Sequence, residues 1–353
     1  MSIARFWRLA LAAIAVTLGG GLVAYVSAGA GPAAASVAAT GPITRPAPSP
    51  GGRPSGPDCA RTSVGLTPLT VLKKGRFDGF RGGLYPGGRN APSRRYLKAG
   101  RTAAARVRPL ASDGTPSPSG RIGVLSVGMS NAYLEYGSFL KLATTHPVSA
   151  GHFVVGGALR QNPRVELVNG ATPTWDAPKI IANPASYFRI LETDLAAAGV
   201  TDRQVQAAWL YEAIGNEHQP FPADARQLRS DLTTIIGMLT AHFPNLRLVY
   251  LSSREYAGYA VSKTNPEPYA YDSGFSVKWT VARRTAHPGT RPWVAWGPYT
   301  WADGTIARPD GLTWTCADFG PDGTHPSAQG AAKVGNMLQR FFTTNRTTRT
   351  WFG

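Results

Sequence analysis

The chain has 353 residues, of which 43% are hydrophobic, 16% are charged and two are cysteines. That apolar content supports a full core and excludes global disorder, and two cysteines cannot form a four-cysteine zinc site or a disulfide-dense scaffold. Lys and Arg outnumber Asp and Glu by 37 to 20, a net charge of +17, which invites a nucleic-acid reading until the charge is located along the chain.

Residues 1–30 read as a signal peptide or membrane anchor. Arg5 and Arg8 precede an uncharged stretch from Leu9 to Ala30 that ends in small residues. A cleaved export signal and a retained anchor both fit, and both place the rest of the chain outside the cytoplasm. Residues 31–57 hold seven prolines among many Ala, Gly and Ser, a composition that cannot pack and reads as a semi-extended linker. In an oxidising compartment Cys59 and Cys316 are expected to bridge, which in the chain-entropy model contributes about 4–5 kcal/mol.

Residues 58–120 read as a basic, irregular extension rich in Gly, Arg and Pro. Lys73–Arg108 carries eleven Lys or Arg against one acid, Asp78, and so holds +10 of the +17. The positive excess is therefore local. No nucleic-acid-binding pattern accompanies it, and no nucleic acid is expected as partner. An acidic envelope polymer or an anionic lipid suits an exported chain better, and a plain solvated basic surface remains open.

From residue 121 strands and helices alternate. Arg121–Val127, Val165–Val168, Val205–Tyr211, Leu246–Leu251 and Trp293–Trp296 read as strands. Helical spacing appears after Ser130-Asn131, through Tyr187, Phe188, Leu191 and Leu195, from Leu228 to Phe243, and from Val334 to Phe342. This alternation predicts one α/β domain over 121–353, a three-layer α/β/α sandwich with a five-stranded parallel sheet. Chemistry in such a sheet sits at the carboxyl ends of the strands.

Three features fall there. Ser130, in Gly128-Met129-Ser130-Asn131, stands at the first strand-to-helix turn, where a hydroxyl is presented beside a helix-start N–H. Gly170 follows the second strand and lets backbone approach a substrate oxygen. Asp322-Gly323-Thr324-His325-Pro326 precedes the last helix, with Pro326 expected to start it. There the carboxylate can fix the imidazole tautomer, so that the other ring nitrogen accepts a proton. His146 and His287 precede prolines, and His152, His218 and His242 read as surface or partly buried residues.

Together the three features resemble the SGNH (GDSL-type) hydrolase family over roughly residues 121–343. The first block is most similar to the Gly-Gln-Ser-Asn esterase branch. The resemblance implies a Ser-His-Asp esterase with Ser130 as nucleophile, His325 as base and Asp322 as its partner. It implies Ser130 and Gly170 N–H groups as oxyanion donors. The family's third donor, an Asn side chain, has two counterparts after the middle strand. Asn216 has the right chemistry but comes late, and Glu212 stands at the better position, where only a protonated carboxyl can donate.

Further candidates for substrate contact are Asn131, Glu212, Arg254, Trp296 and Tyr299. Arg254 can meet a carboxylate bidentately or pair with Glu255 or Asp272. Trp296 and Tyr299 can form a carbohydrate platform or serve as core. No metal-ligand spacing, phosphate loop or dinucleotide motif is present, so no metal or cofactor is expected. The expected function is an exported serine esterase acting on a small-molecule or glycan ester such as an O-acetyl group. O-acyl transfer and non-catalytic polysaccharide binding on the same fold are the alternatives.

Overall fold

The structure, a computed structural model, describes residues 56–145, 161–216 and 218–353. The proposed leader, most of the Pro-rich linker, His146 and His152 lie outside these residues. No helix among the described residues is long and apolar enough to cross a membrane.

Five strands form one parallel sheet: β1 (Ile122–Gly128), β2 (Val165–Asn169), β3 (Val205–Tyr211), β4 (Leu248–Leu251) and β5 (Trp293–Trp296). Their order is β2-β1-β3-β4-β5. Every residue of β1, β3, β4 and β5 is buried, as a parallel sheet covered on both faces requires. Among the described residues six helices of eleven or more residues dress the sheet: α1 (Arg94–Ala104), α2 (Ser130–Thr145), α3 (Pro184–Ala197), α4 (Ala223–His242), α5 (Tyr269–Thr285) and α6 (Ala328–Thr344). Helix α2 packs on α6 and α4 on α5, giving the expected three layers. Phe139 of α2 stacks on Phe342 of α6, ring centroids 5.6 Å apart.

The strand order places a switch point between β1 and β3. The chain leaves β1 outward to β2, then returns to the other side of β1 as β3, opening a crevice at the carboxyl edge. Ser130, Gly170 and Glu212 all follow strands that meet there.

Two helices escape the periodicity reading. Helix α5 is buried nearly all round, including Asp272, Ser273, Ser276 and Lys278, so it has no clean polar face to betray its period. In α1 the inward positions are Tyr96, Gly100 and Ala104, two of them too small to register as hydrophobic. Residues 58–120 thus contain real structure: α1, a helical turn at Leu69–Leu72, and a hairpin pairing Arg76–Phe77 with Phe80–Arg81. The last helix begins at Ala328, not at Pro326. Ser327 caps it by accepting from the Gly330 N–H at 3.3 Å, while Pro326 pairs with Phe319 in an isolated bridge.

Cys59 and Cys316 form a disulfide with Cα atoms 5.3 Å apart. It spans 257 residues and closes nearly the whole described chain into one loop. Replacing both cysteines with Ala is expected to cost about 2–5 kcal/mol. Urea unfolding of wild type with and without reductant, beside the double variant, measures this, and three coincident curves would refute it.

Candidate active site

Ser130 is the first residue of α2, directly beyond the end of β1. The turn demands glycine at 128, because a Cβ there would have no room between Ala132 and the Tyr211 carbonyl. A second glycine shapes the opposite side. Gly323 adopts φ 65° against the Tyr259 carbonyl, and this turns the chain so that Asp322 and His325 face each other.

The result is a hydrogen-bonded line. Ser130 Oγ lies 2.7 Å from His325 Nε2, and His325 Nδ1 lies 2.5 Å from Asp322 Oδ2. The other carboxylate oxygen, Oδ1, accepts from the N–H groups of Thr324 and His325, both at 3.0 Å. Burial alone would raise the Asp322 pKa, but hydrogen bonds from the His325 N–H, the His325 ring and the Thr324 N–H outweigh it and hold the carboxyl below its ordinary value. The side chains of His325 and Asp322 remain 41% and 39% exposed, so the line opens to solvent.

Asn131 is buried beside it. Its Nδ2 donates to Glu255 Oε1 and to the Thr324 carbonyl, the latter at 2.9 Å. The residue after Ser130 therefore ties α2 to the turn carrying His325, and its amide is spent on the protein. Gly170 is buried, its carbonyl accepting from the Tyr187 hydroxyl at 3.3 Å. A side chain at 170 would press on Leu125, Leu191 and the Ser126 carbonyl.

Glu212 is 1% exposed. One carboxyl oxygen accepts from the Ala213 N–H at 3.2 Å, and the other has no partner. Burial pushes its pKa well above the usual carboxylate range, the Ala213 N–H opposing and the nearby Asp176 adding to the rise. Asn216 is exposed and lines a depression with Asp176, Gln219 and Asp224. No contact joins it to Ser130 or His325.

Three expectations for substrate contact are corrected. Trp296 and Tyr299 are each 4% exposed. The Trp296 indole donates to the Leu84 carbonyl at 2.6 Å and the Tyr299 hydroxyl accepts from the Leu69 N–H at 3.0 Å. Both are core residues that hold the N-terminal segment. Arg254 is 3% exposed and lies 3.4 Å from Glu255, its guanidinium over the Tyr211 ring. Burial draws its pKa down to about 10, against the pull of Glu135, Glu212, Glu267 and Asp322. It is a buried counter-charge beneath the site.

Sequence reasoning missed Glu135, whereas Glu255 pairs with Arg254 as one of the expected alternatives. Glu135 is fully buried with neither oxygen partnered. Desolvation, then the proximity of Glu255, drives its pKa well up. Its signal was present, because Ala132, Tyr136, Phe139 and Ala143 mark the core face of α2 and Glu135 falls within it. Also missed were Tyr133 and Leu134, 46% and 39% exposed. They stand three and four residues beyond Ser130, on the same helix face, and helical side chains lean back over the preceding turn. Val261, 41% exposed, donates its N–H to the Asp322 carbonyl at 3.2 Å. Three of the five exposed large hydrophobics among the described residues thus rim this line.

No family model matches the chain, and no curated protein matches it. Among solved structures, the chain is similar to a Bacteroides fragilis protein described as a "putative acylhydrolase". The identity is 10%, the match covers 74% of this chain and 100% of that one, and the TM-score is 0.33.

A Glu212 pKa raised above its ordinary 4.5 means that the folded state keeps a proton the unfolded state has lost. Its contribution to stability therefore falls as pH rises above about 4.5, by up to about 1.4 kcal/mol per pH unit until the folded pKa is reached. Glu212→Gln is expected to remove this slope and gain stability relative to wild type with rising pH. Urea unfolding from about pH 4 to 7 tests it, and parallel profiles would refute it.

Proposed function

We propose that the protein is a serine ester hydrolase of the SGNH type. The observation that carries the reading is the Ser130–His325–Asp322 line, with its 2.7 and 2.5 Å contacts at the carboxyl edge of the sheet. His325 Nε2 takes the proton of Ser130 Oγ as that oxygen bonds to the ester carbonyl carbon. Asp322 holds Nδ1–H and stabilises the imidazolium. The tetrahedral oxyanion accepts from the Ser130 N–H at the start of α2 and from the Gly170 N–H. The alcohol departs with the proton from His325. Water then repeats the sequence on the acyl-enzyme, releasing the acid and restoring Ser130.

Glu212 completes the donor set in its neutral form. An ionised Glu212 would repel the oxyanion, and its burial favours the protonated carboxyl. Exposure of His325 and Asp322 favours water as acyl acceptor over a sugar hydroxyl. The substrate we favour is an acetyl ester on a glycan outside the cytoplasm, a compartment with which the Cys59–Cys316 bridge is compatible. Tyr133, in place of the buried Trp296 and Tyr299, is the aromatic offered to that substrate.

With p-nitrophenyl acetate, Ser130→Ala and His325→Ala are expected to lose at least about 1000-fold in kcat, and Asp322→Asn about 10⁴-fold. A fluorophosphonate probe should label wild type at Ser130 and leave Ser130→Ala unlabelled. Equal turnover in wild type and Ser130→Ala would overturn the reading. Acetate release from an O-acetylated glycan tests the substrate.

A further inference from the structure

The edge of the sheet opposite Ser130 is basic by construction. Each strand is entered through an arginine one or two residues upstream: Arg121, Arg164, Arg203, Arg247 and Arg291. Because all five strands are parallel, these arginines share the amino edge. On the β1–β2 side they have partners. Arg121 pairs with Glu166, and Arg164 and Arg203 donate to the Ser119 and Asp113 carbonyls. On the β4–β5 side, Arg247 donates to Asn245 Oδ1 at 3.3 Å, and Arg247 and Arg291 line a cavity with the cations of α1.

Helix α1 contains four Lys or Arg and no acid. Arg94 and Arg95 occupy its first turn, where positive charge opposes the helix dipole. Its inward side is fixed to β5. Gly100 lies against the Trp293 ring, the Trp293 indole donates to the Tyr96 carbonyl at 3.1 Å, and the Tyr96 hydroxyl donates to the Val294 carbonyl at 2.6 Å. The cations are thus displayed from a pinned helix, with little ordering left to do on binding.

Two cavities flank α1. One, of about 400 Å³, is lined by Arg95, Lys98, Arg106, Arg247 and Arg291. The other, of about 560 Å³, shares Lys98 and Thr102 with it and adds Arg101 and Arg346. Neither lining contains Asp or Glu, and none of these cations pairs with a carboxylate among the described residues. Arg247 Nε is buried without a hydrogen-bond partner. Burial, then the charges of Arg291, Arg106 and Arg108, push the Arg247 pKa down, the mark of positive charge without compensation.

We infer that this face is a binding site for a linear polyanion, a polymer carrying repeated carboxylate or phosphate groups. Cations at every third residue of α1, Arg95, Lys98 and Arg101, recur at about 4.5 Å along the axis and run from one cavity to the next. A lone small anion would use one cavity only. A membrane surface is the poorer match, because the sites are concave and none of the exposed large hydrophobics lines them. The seven residues of β1 separate this face from Ser130 by about 23 Å, so a bound polymer leaves the proposed ester site open. The assignment does not depend on the ester-cleaving reading.

The test uses the full chain with fluorescent polygalacturonate, polyphosphate, phosphatidylglycerol vesicles and inorganic phosphate. At least one polymer should bind. The triple variant Lys98→Gln, Arg247→Gln, Arg291→Gln should weaken it about tenfold or more and lower the salt slope by about 2–3. A control triple of equal charge change, Arg189→Gln, Arg226→Gln, Arg340→Gln, should change affinity by less than about twofold. Equal loss in both triples, binding to vesicles but to neither polymer, or inorganic phosphate binding as tightly as polymer would each overturn the assignment. Lys98→Gln alone, at an exposed position, should still weaken binding about threefold if the triple fails to fold.

Discussion

The close pairing of β1 with β3 sets the position of everything at the carboxyl edge. The two strands run side by side to Gly128 and Tyr211, and at that last rung a side chain larger than hydrogen has no room. The chain must leave β1 there, and α2 must start at Ser130. The β2-β1-β3-β4-β5 order then splits the crossovers to either side of this pair. The ends of β1, β2 and β3, which deliver Ser130, Gly170 and Glu212, consequently open into one crevice.

Beneath that crevice lies an uncommon concentration of buried charge. Glu135, Glu212 and Glu255 lie around one buried cation, Arg254, and each keeps at least one oxygen without a partner. Glu267, by contrast, is fully used, accepting from the Ala257 and Tyr271 N–H groups and the Trp301 indole. A fully ionised cluster would carry excess negative charge in a low-dielectric interior, and burial accordingly raises the pKa of each of the three acids. Asn131 converts this cluster into positioning. By bridging Glu255 and the Thr324 carbonyl, it fixes the helix that carries Ser130 to the turn that presents the His325 imidazole.

The two edges of the sheet have opposite characters. At the carboxyl edge a carboxylate–imidazole–hydroxyl line opens through an apolar rim. At the amino edge arginines precede every strand, and two of them, Arg247 and Arg291, join the acid-free face of α1. A parallel sheet produces this separation because all strand starts lie on one side and all strand ends on the other. The disulfide from Cys59 to Cys316 ties the start of the described residues to the loop that leads to Asp322.

The sequence by itself determined the layer architecture, the five strands and the three features at their ends, because buried parallel strands and amphipathic helices such as α4 carry unambiguous periods. It also determined which cysteines pair, there being only two. It could not find α5, buried nearly all round, or α1, whose inward face is Tyr96 with the small residues Gly100 and Ala104. Only the tertiary structure decided that Trp296 and Tyr299 are core, that Arg254 is an internal counter-charge, and that Tyr133 and Leu134 rim the site. The same holds for the basic face. The run from Lys73 to Arg108 was visible as a local charge excess, but Arg247, Arg291 and Arg346 join it from far along the chain. The reason is common to all these cases. Burial and charge compensation are properties of what surrounds a side chain, and in this fold many of the neighbours come from distant segments, as Leu84 and Leu69 do for Trp296 and Tyr299.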